Sequence, residues 1–155
     1  MKTYDLLFTQ ALKFLSYRPR STVEIKNFLI RKGSDQETLK RVTQRLTELE
    51  LLNDVNFAQW WIEQRSGFNP KGVRLVKSEL KQKGIPEEII NLQLKKARDE
   101  NSDLELARRV IQKFLPRLKS LSSIGLRKKL FSALALRGFD FAVIKEAVDK
   151  ALKKE

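Results

Sequence analysis

Nine lysines and arginines, and no carboxylate, lie between Leu106 and Phe139: Arg108, Arg109, Lys113, Arg117, Lys119, Arg127, Lys128, Lys129 and Arg137. Upstream, Arg65, Lys71, Arg74, Lys77, Lys81 and Lys83 are balanced by a single acidic residue, Glu79. Ammonium and guanidinium groups at this density create a field that draws in phosphate backbones or acidic protein surfaces. A surface that is only kept wet mixes both signs. Across 155 residues the chain carries 32 Lys and Arg against 19 Asp and Glu, a formal charge of +13. The chemistry offered is therefore recognition of anions.

Catalytic chemistry has few means. The chain has no histidine and no cysteine, which removes most transition-metal sites and most nucleophile–base pairs. Glu87 and Glu88 are adjacent on an expected helix and do not converge on one substrate. In the first turn of that helix they complement its dipole. Gly67 and Gly72 lack the spacing and the terminal Lys-Ser/Thr of a phosphate-binding loop. A protein that is not an enzyme and holds no cofactor or metal is expected. The absence of cysteine suits a reducing compartment. Met1–Gln10 does not read as a signal peptide, and no apolar run is long enough to span a bilayer. A cytoplasmic protein without membrane association is expected.

These cations must be positioned by helices. A basic residue followed by glycine links two helical segments three times, at Lys32-Gly33, Lys83-Gly84 and Arg137-Gly138, so the glycines lie 51 and 54 residues apart. Four and eight residues before each glycine stand Leu29 and Ile25, Leu80 and Val76, and Leu134 and Leu130. Six residues after it come Leu39, Ile90 and Ile144. Apolar marks at this spacing and period indicate repeated helical units that share a stacked core. The reading is all-α: three tandem three-helix repeats, 1–52, 53–101 and 102–155, stacked into an elongated, curved array.

Local signals place the ends. Ser21–Glu24, Ser34–Glu37 and Ser102–Glu105 have capping-box spacing, and each glycine suits a left-handed helix cap. The third helix is expected to bury Leu39, Val42, Leu46 and Leu49, and the helix opened at Ser102 to end at Pro116. Trp61 is expected in the core with Phe57 and Ile62, and Trp60 either in the core or partly exposed as an interface anchor. The helix–glycine–helix junctions invite a DNA-reading interpretation. The helices after glycine, however, open with Asp35 and Glu37, Glu87 and Glu88, and Asp140, where phosphate would be repelled. Sequence-specific readout is not expected.

The run Leu51-Leu52-Asn53-Asp54-Val55-Asn56-Phe57-Ala58-Gln59-Trp60-Trp61-Ile62-Glu63-Gln64-Arg65 resembles the core signature of RecX regulatory proteins. So does its continuation through Gly72, Arg74-Leu75, Glu79-Leu80 and Lys83-Gly84-Ile85. Ser21, Glu24, Leu29 and Gly33, and then Leu130, Leu134 and Gly138, carry a looser likeness in the outer repeats. The resemblance implies a modulator of the RecA recombinase. Such a protein lodges in the groove of the RecA–single-stranded DNA filament and limits ATP hydrolysis, extension and strand exchange. It would act as a monomer, with weak, sequence-independent contact to single- or double-stranded DNA. Candidate contacts to RecA or DNA are Arg65, Lys71, Arg74, Lys77, Arg127, Lys128, Lys129 and Arg137. The alternative is a stand-alone basic nucleic-acid-binding protein with no recombinase partner.

Overall fold

The structure is a computed structural model that describes residues 3–153. Met1 and Lys2, part of the segment judged not to be a signal peptide, lie outside the described residues. Among the described residues nine α-helices follow one another: α1 (Tyr4–Tyr17), α2 (Thr22–Arg31), α3 (Gln36–Glu48), α4 (Asp54–Arg65), α5 (Val73–Gln82), α6 (Glu87–Glu100), α7 (Asp103–Phe114), α8 (Ser123–Leu136) and α9 (Phe141–Leu152). The described residues contain no strand. This is an all-α fold of three tandem helical triplets.

Each middle helix of a triplet ends the same way. Gly33, Gly84 and Gly138 take φ of 91°, 78° and 85°, the left-handed region that a side chain resists. The N–H groups of Ser34, Ile85 and Phe139 then reach back to the carbonyls of Leu29, Leu80 and Leu134. This is the paired bonding of a Schellman cap. Glu50 makes the same turn after α3 without glycine, at φ 60°. Leu49 therefore sits in the cap and is exposed rather than part of the α3 stripe.

Helix starts are partly as the spacing suggests. At Ser21 both arms of the box form: its Oγ accepts from the Glu24 N–H at 3.1 Å, and Glu24 Oε1 accepts from the Ser21 N–H at 3.0 Å. The second box is displaced by one residue. Asp35 caps α3 by accepting from the Thr38 N–H at 2.7 Å, because the Ser34 N–H is already committed to Leu29. At Ser102 only half a box forms. Glu105 instead grips the Arg108 guanidinium at 2.5 and 2.8 Å, a charge-assisted pair that outcompetes a neutral amide. The helix opened at Ser102 ends at Phe114, just before Pro116, and the chain continues as a 3-10 turn over Leu115–Leu118, whose first positions need no N–H donor.

The chain divides into two compact units. One holds everything up to Trp60 together with Leu80–Ile90; the other holds Trp61–Glu79 and everything from Asn91 onward. The first unit's core gathers Leu7, Ala11, Ile25, Leu29, Leu39, Val42, Leu46 and Leu52. The second unit's core is built by Leu106, Val110, Ile111, Leu130, Leu134, Ile144 and Val148 from α7, α8 and α9, with Phe139 from the turn between α8 and α9. Truncating one of these leucines to alanine removes apolar contacts and leaves a void, a loss of about 2–5 kcal/mol. Of the two tryptophans, neither is fully buried. Trp61 stays at the rim of its unit because its indole N–H needs an acceptor, which Glu79 Oε1 supplies at 3.1 Å.

Candidate binding surface

Two joints built to one plan organise the charged residues, one within each unit. In the first, the start of α2 meets the glycine cap after α5 and the start of α4. The Ser21 hydroxyl, fully buried, donates to the Lys83 carbonyl at 2.7 Å, and the Thr22 N–H donates to Asp54 Oδ1 at 2.8 Å. Val23 fills the space beside Gly84 so closely that a Cβ there would lie 2.2 Å from its Cγ2. In the second, the start of α5 meets the glycine cap after α8 and the start of α7. The Gly72 N–H donates to the Arg137 carbonyl at 2.8 Å, and the Val73 N–H donates to Asp103 Oδ2 at 2.9 Å. Leu75 takes the place beside Gly138, where a Cβ would lie 2.2 Å from its own.

The first joint neutralises itself. Glu24 takes Arg18 at 2.6 Å and Lys83 at 3.3 Å. Burial alone would raise the Glu24 carboxyl, but hydrogen bonds from Arg18 and the Ser21 N–H, with the charges of Arg18 and Lys83, outweigh it and hold the pKa below its usual value.

The second joint has no such sink. Arg137 donates to Asn69 Oδ1 at 3.0 Å and to the Ala133 carbonyl at 2.8 Å, and its guanidinium lies 5.0 Å from the Phe114 ring centre. Arg74 donates to the Ala135 carbonyl at 3.2 Å. Lys113 donates to the Phe68 carbonyl and places its Nζ 3.7 Å from the Phe68 ring centre. These cations bond to neutral oxygens, which orient them without cancelling their charge. Of the nearby carboxylates, Asp140 lines a cavity with Arg74 without a recorded ion pair, and Glu79 and Asp103 are already engaged. Glu79 grips Arg65 at 2.8 and 3.0 Å as well as Trp61. Asp103 lies 2.6 Å from Arg98 Nε, an ion pair whose angle falls short of a hydrogen bond. The Lys71 ammonium is depressed below its usual pKa, first by burial and then by the charges of Arg137 and Arg65, which outweigh the attraction of Glu79.

The eight candidate contacts all fall in the second unit, in two sets. Lys71, Arg74 and Arg137 belong to the joint. Arg65 is locked against Glu79, and Lys77 is half-buried on α5. On α8, Arg127 pairs with Asp149 at 2.6 Å, while Lys128 and Lys129 are exposed and make no ion pair among those recorded for the described residues. Beside them α8 leaves Ile124 and Leu136 exposed, and Phe141 is exposed at the start of α9. A groove of about 810 Å³ is lined by Ile124, Leu126, Arg127, Lys128, Phe131 and Leu152 among others. Ile124, exposed and apolar, thus lines the same groove as Arg127 and Lys128.

The candidate contacts left out Phe68, Asn69, Arg98 and Lys113, the last named only as part of the basic block. Phe68 is the most exposed large apolar side chain of the described residues, at 87%. Its signal was available: an aromatic between Gly67 and Asn69-Pro70, in a loop flanked by arginine and lysine. Arg98 holds that loop from α6 by donating to Ser66 Oγ at 3.1 Å and the Lys71 carbonyl at 3.3 Å.

The repeats match the family profiles described as the first, second and third three-helix domains of RecX, over residues 8–46, 53–92 and 101–148. The chain belongs to the RecX family. It is 35% identical over 143 residues to the regulatory protein RecX of Prosthecochloris aestuarii, covering 92% of this chain and 91% of that one. It is 34% identical to the RecX of Bacillus subtilis over 92% of this chain, spanning 54% of that longer protein. The fold is similar to the crystal structure of RecX from Lactobacillus salivarius, with a TM-score of 0.81, 23% identity and 95% of both chains covered. RecX relatives carry the name of regulatory proteins. No helix of the described residues is long and apolar enough to cross a membrane.

Proposed function

We propose that this RecX-family protein binds the RecA–single-stranded DNA filament and modulates it, chiefly by inhibiting ATP hydrolysis, filament extension and strand exchange. In this way it would tune recombination, DNA repair and the SOS response. Family membership across all three triplets carries the reading. The charge of the second unit supports it: twenty lysines and arginines against ten carboxylates, where the first unit has twelve against nine. The exposed Lys128 and Lys129 beside Ile124 and Leu136 suit an acidic protein surface that also offers apolar side chains. Repeats 1–52, 53–101 and 102–155 would each meet the filament, so that several weak contacts act as one strong one. Action as a cytoplasmic monomer belongs to the same proposal.

The test is single-stranded-DNA-dependent ATP hydrolysis by RecA of the same organism, with this protein added well below one copy per RecA. A strong fall in rate supports filament modulation. No effect, with DNA binding retained, favours the stand-alone nucleic-acid binder. Reversing Lys128 and Lys129 together to glutamate should weaken inhibition and leave stability unchanged; full inhibition by that variant removes both from the contact surface.

A further inference from the structure

The geometry points to a single-stranded nucleic-acid site at the second joint, with the Phe68 ring as a stacking platform for a base and Lys71, Arg74 and Arg137 as its phosphate contacts. It deepens the reading above and rests on it only for its setting, because it predicts direct binding to bare single strands. Three observations converge. Phe68 is 87% exposed in a loop that its own unit fastens through Arg98, so the ring is presented rather than left over from a core. Lys113 covers one region of the ring from 3.7 Å, and the exposure leaves the remaining surface to solvent.

The second observation is the charge balance. Arg137, Arg74 and Lys113 are directed by Asn69 and by backbone carbonyls, and Lys71 is pressed by Arg137 and Arg65. An arriving phosphate relieves that repulsion, whereas at the first joint Glu24 has already done so. The third is what surrounds the ring. Its recorded ring contact is the Lys113 ammonium, which gives the ring a cationic rather than an apolar setting. A base needs only a π-face and a nearby cation for its phosphate, and every base has such a face. A duplex hides those faces, so single strands are the ligand class.

The test uses the full chain without RecA and follows fluorescence anisotropy of a labelled oligo-dT and of an abasic oligonucleotide of equal length. Phe68→Ala should weaken oligo-dT binding roughly tenfold and leave the abasic strand unchanged, while Phe68→Trp restores the affinity. Lys71→Gln should reduce the slope of log affinity against log salt by about 0.7 on both strands. Equal binding of oligo-dT by wild type and Phe68→Ala overturns the site, as does an equal loss on both strands. Phe68→Ala that loses RecA inhibition but binds oligo-dT normally assigns the ring to a protein contact and also overturns it. Stacking confirmed with no effect of the wild type on RecA leaves the site standing and removes the regulatory reading; the converse result removes the site alone.

Discussion

The two joints share a backbone and differ in charge. In both, the start of one triplet's middle helix docks against the glycine cap and the aspartate of the next triplet. At the third helical position the first joint has Glu24, which collects Arg18 and Lys83, and the second has Leu75, which packs on Gly138. The first joint is thus electrostatically closed. The second holds its cations on neutral oxygens and leaves their charge uncancelled. One architectural part serves as a structural clasp in one place and as a basic surface in another, and a few side chains decide which.

The steric half of the comparison breaks most visibly at glycine. Gly138→Ala places a Cβ 2.2 Å from Leu75 Cβ and 2.6 Å from its backbone nitrogen, at φ 85°, and should cost about 3–5 kcal/mol. Gly84→Ala meets Val23 Cγ2 at 2.2 Å and Cβ at 2.6 Å; Cβ stays put when the side chain turns, so the helix start must shift, at a cost of about 2–4 kcal/mol. Gly33→Ala meets nothing within 4 Å and should cost about 1–2 kcal/mol from backbone strain alone. Urea unfolding of the three variants checks the order; equal losses would show that packing at the joints is irrelevant.

Charge comes next. Glu24→Gln strips the first joint of its sink and should lose about 1–3 kcal/mol, more than Arg137→Met loses at the second, where the partners are neutral. A reversed order would mean that the second joint, not the first, depends on its polar contacts. Acid should act through the same groups. Glu24 and Glu79 both ionise more readily folded than unfolded: burial opposes this, but the hydrogen bonds and charges of their partners prevail. The folded protein therefore binds fewer protons in this range, and stability falls as pH drops through and below the ordinary carboxylate range. Thermal unfolding between about pH 7 and pH 3 should show this fall, reduced in Glu24→Gln. A flat profile would refute the assignment.

The smallest effect concerns the cap that lacks glycine. Glu50 adopts φ 60° after α3, so Glu50→Gly should relieve strain and stabilise by about 0.5–1 kcal/mol. A loss would mean that its side chain makes a contact worth more than the strain.

Much of this was legible in the residues themselves. The glycine caps, the period near fifty, the Ser21 box and the apolar marks at Ile25, Leu29, Leu130 and Leu134 depend on contacts within a few residues, and such contacts follow from spacing. The candidate cations were legible as a set, because charge counts need no geometry. Their sorting was not. Arg65, Arg127 and Lys128 look alike in a sequence, yet Arg65 is held by Glu79 fourteen residues away, Arg127 by Asp149, and Lys128 stands exposed. Asp54 and Asp103 read as ordinary first-turn carboxylates of their own helices, and each also caps a helix start about thirty residues earlier.

By itself, then, the amino-acid order determined the helices, their glycine stops, the threefold repetition and the excess of positive charge. All of these are properties of neighbouring residues or of simple sums. The tertiary structure alone decided which cations are spent on internal carboxylates and which stand clear of them. It also decided that Phe68 is presented among them. Both depend on contacts between residues from fourteen to sixty-eight positions apart in the chain, where a shift of a few ångströms turns an ion pair into an exposed charge.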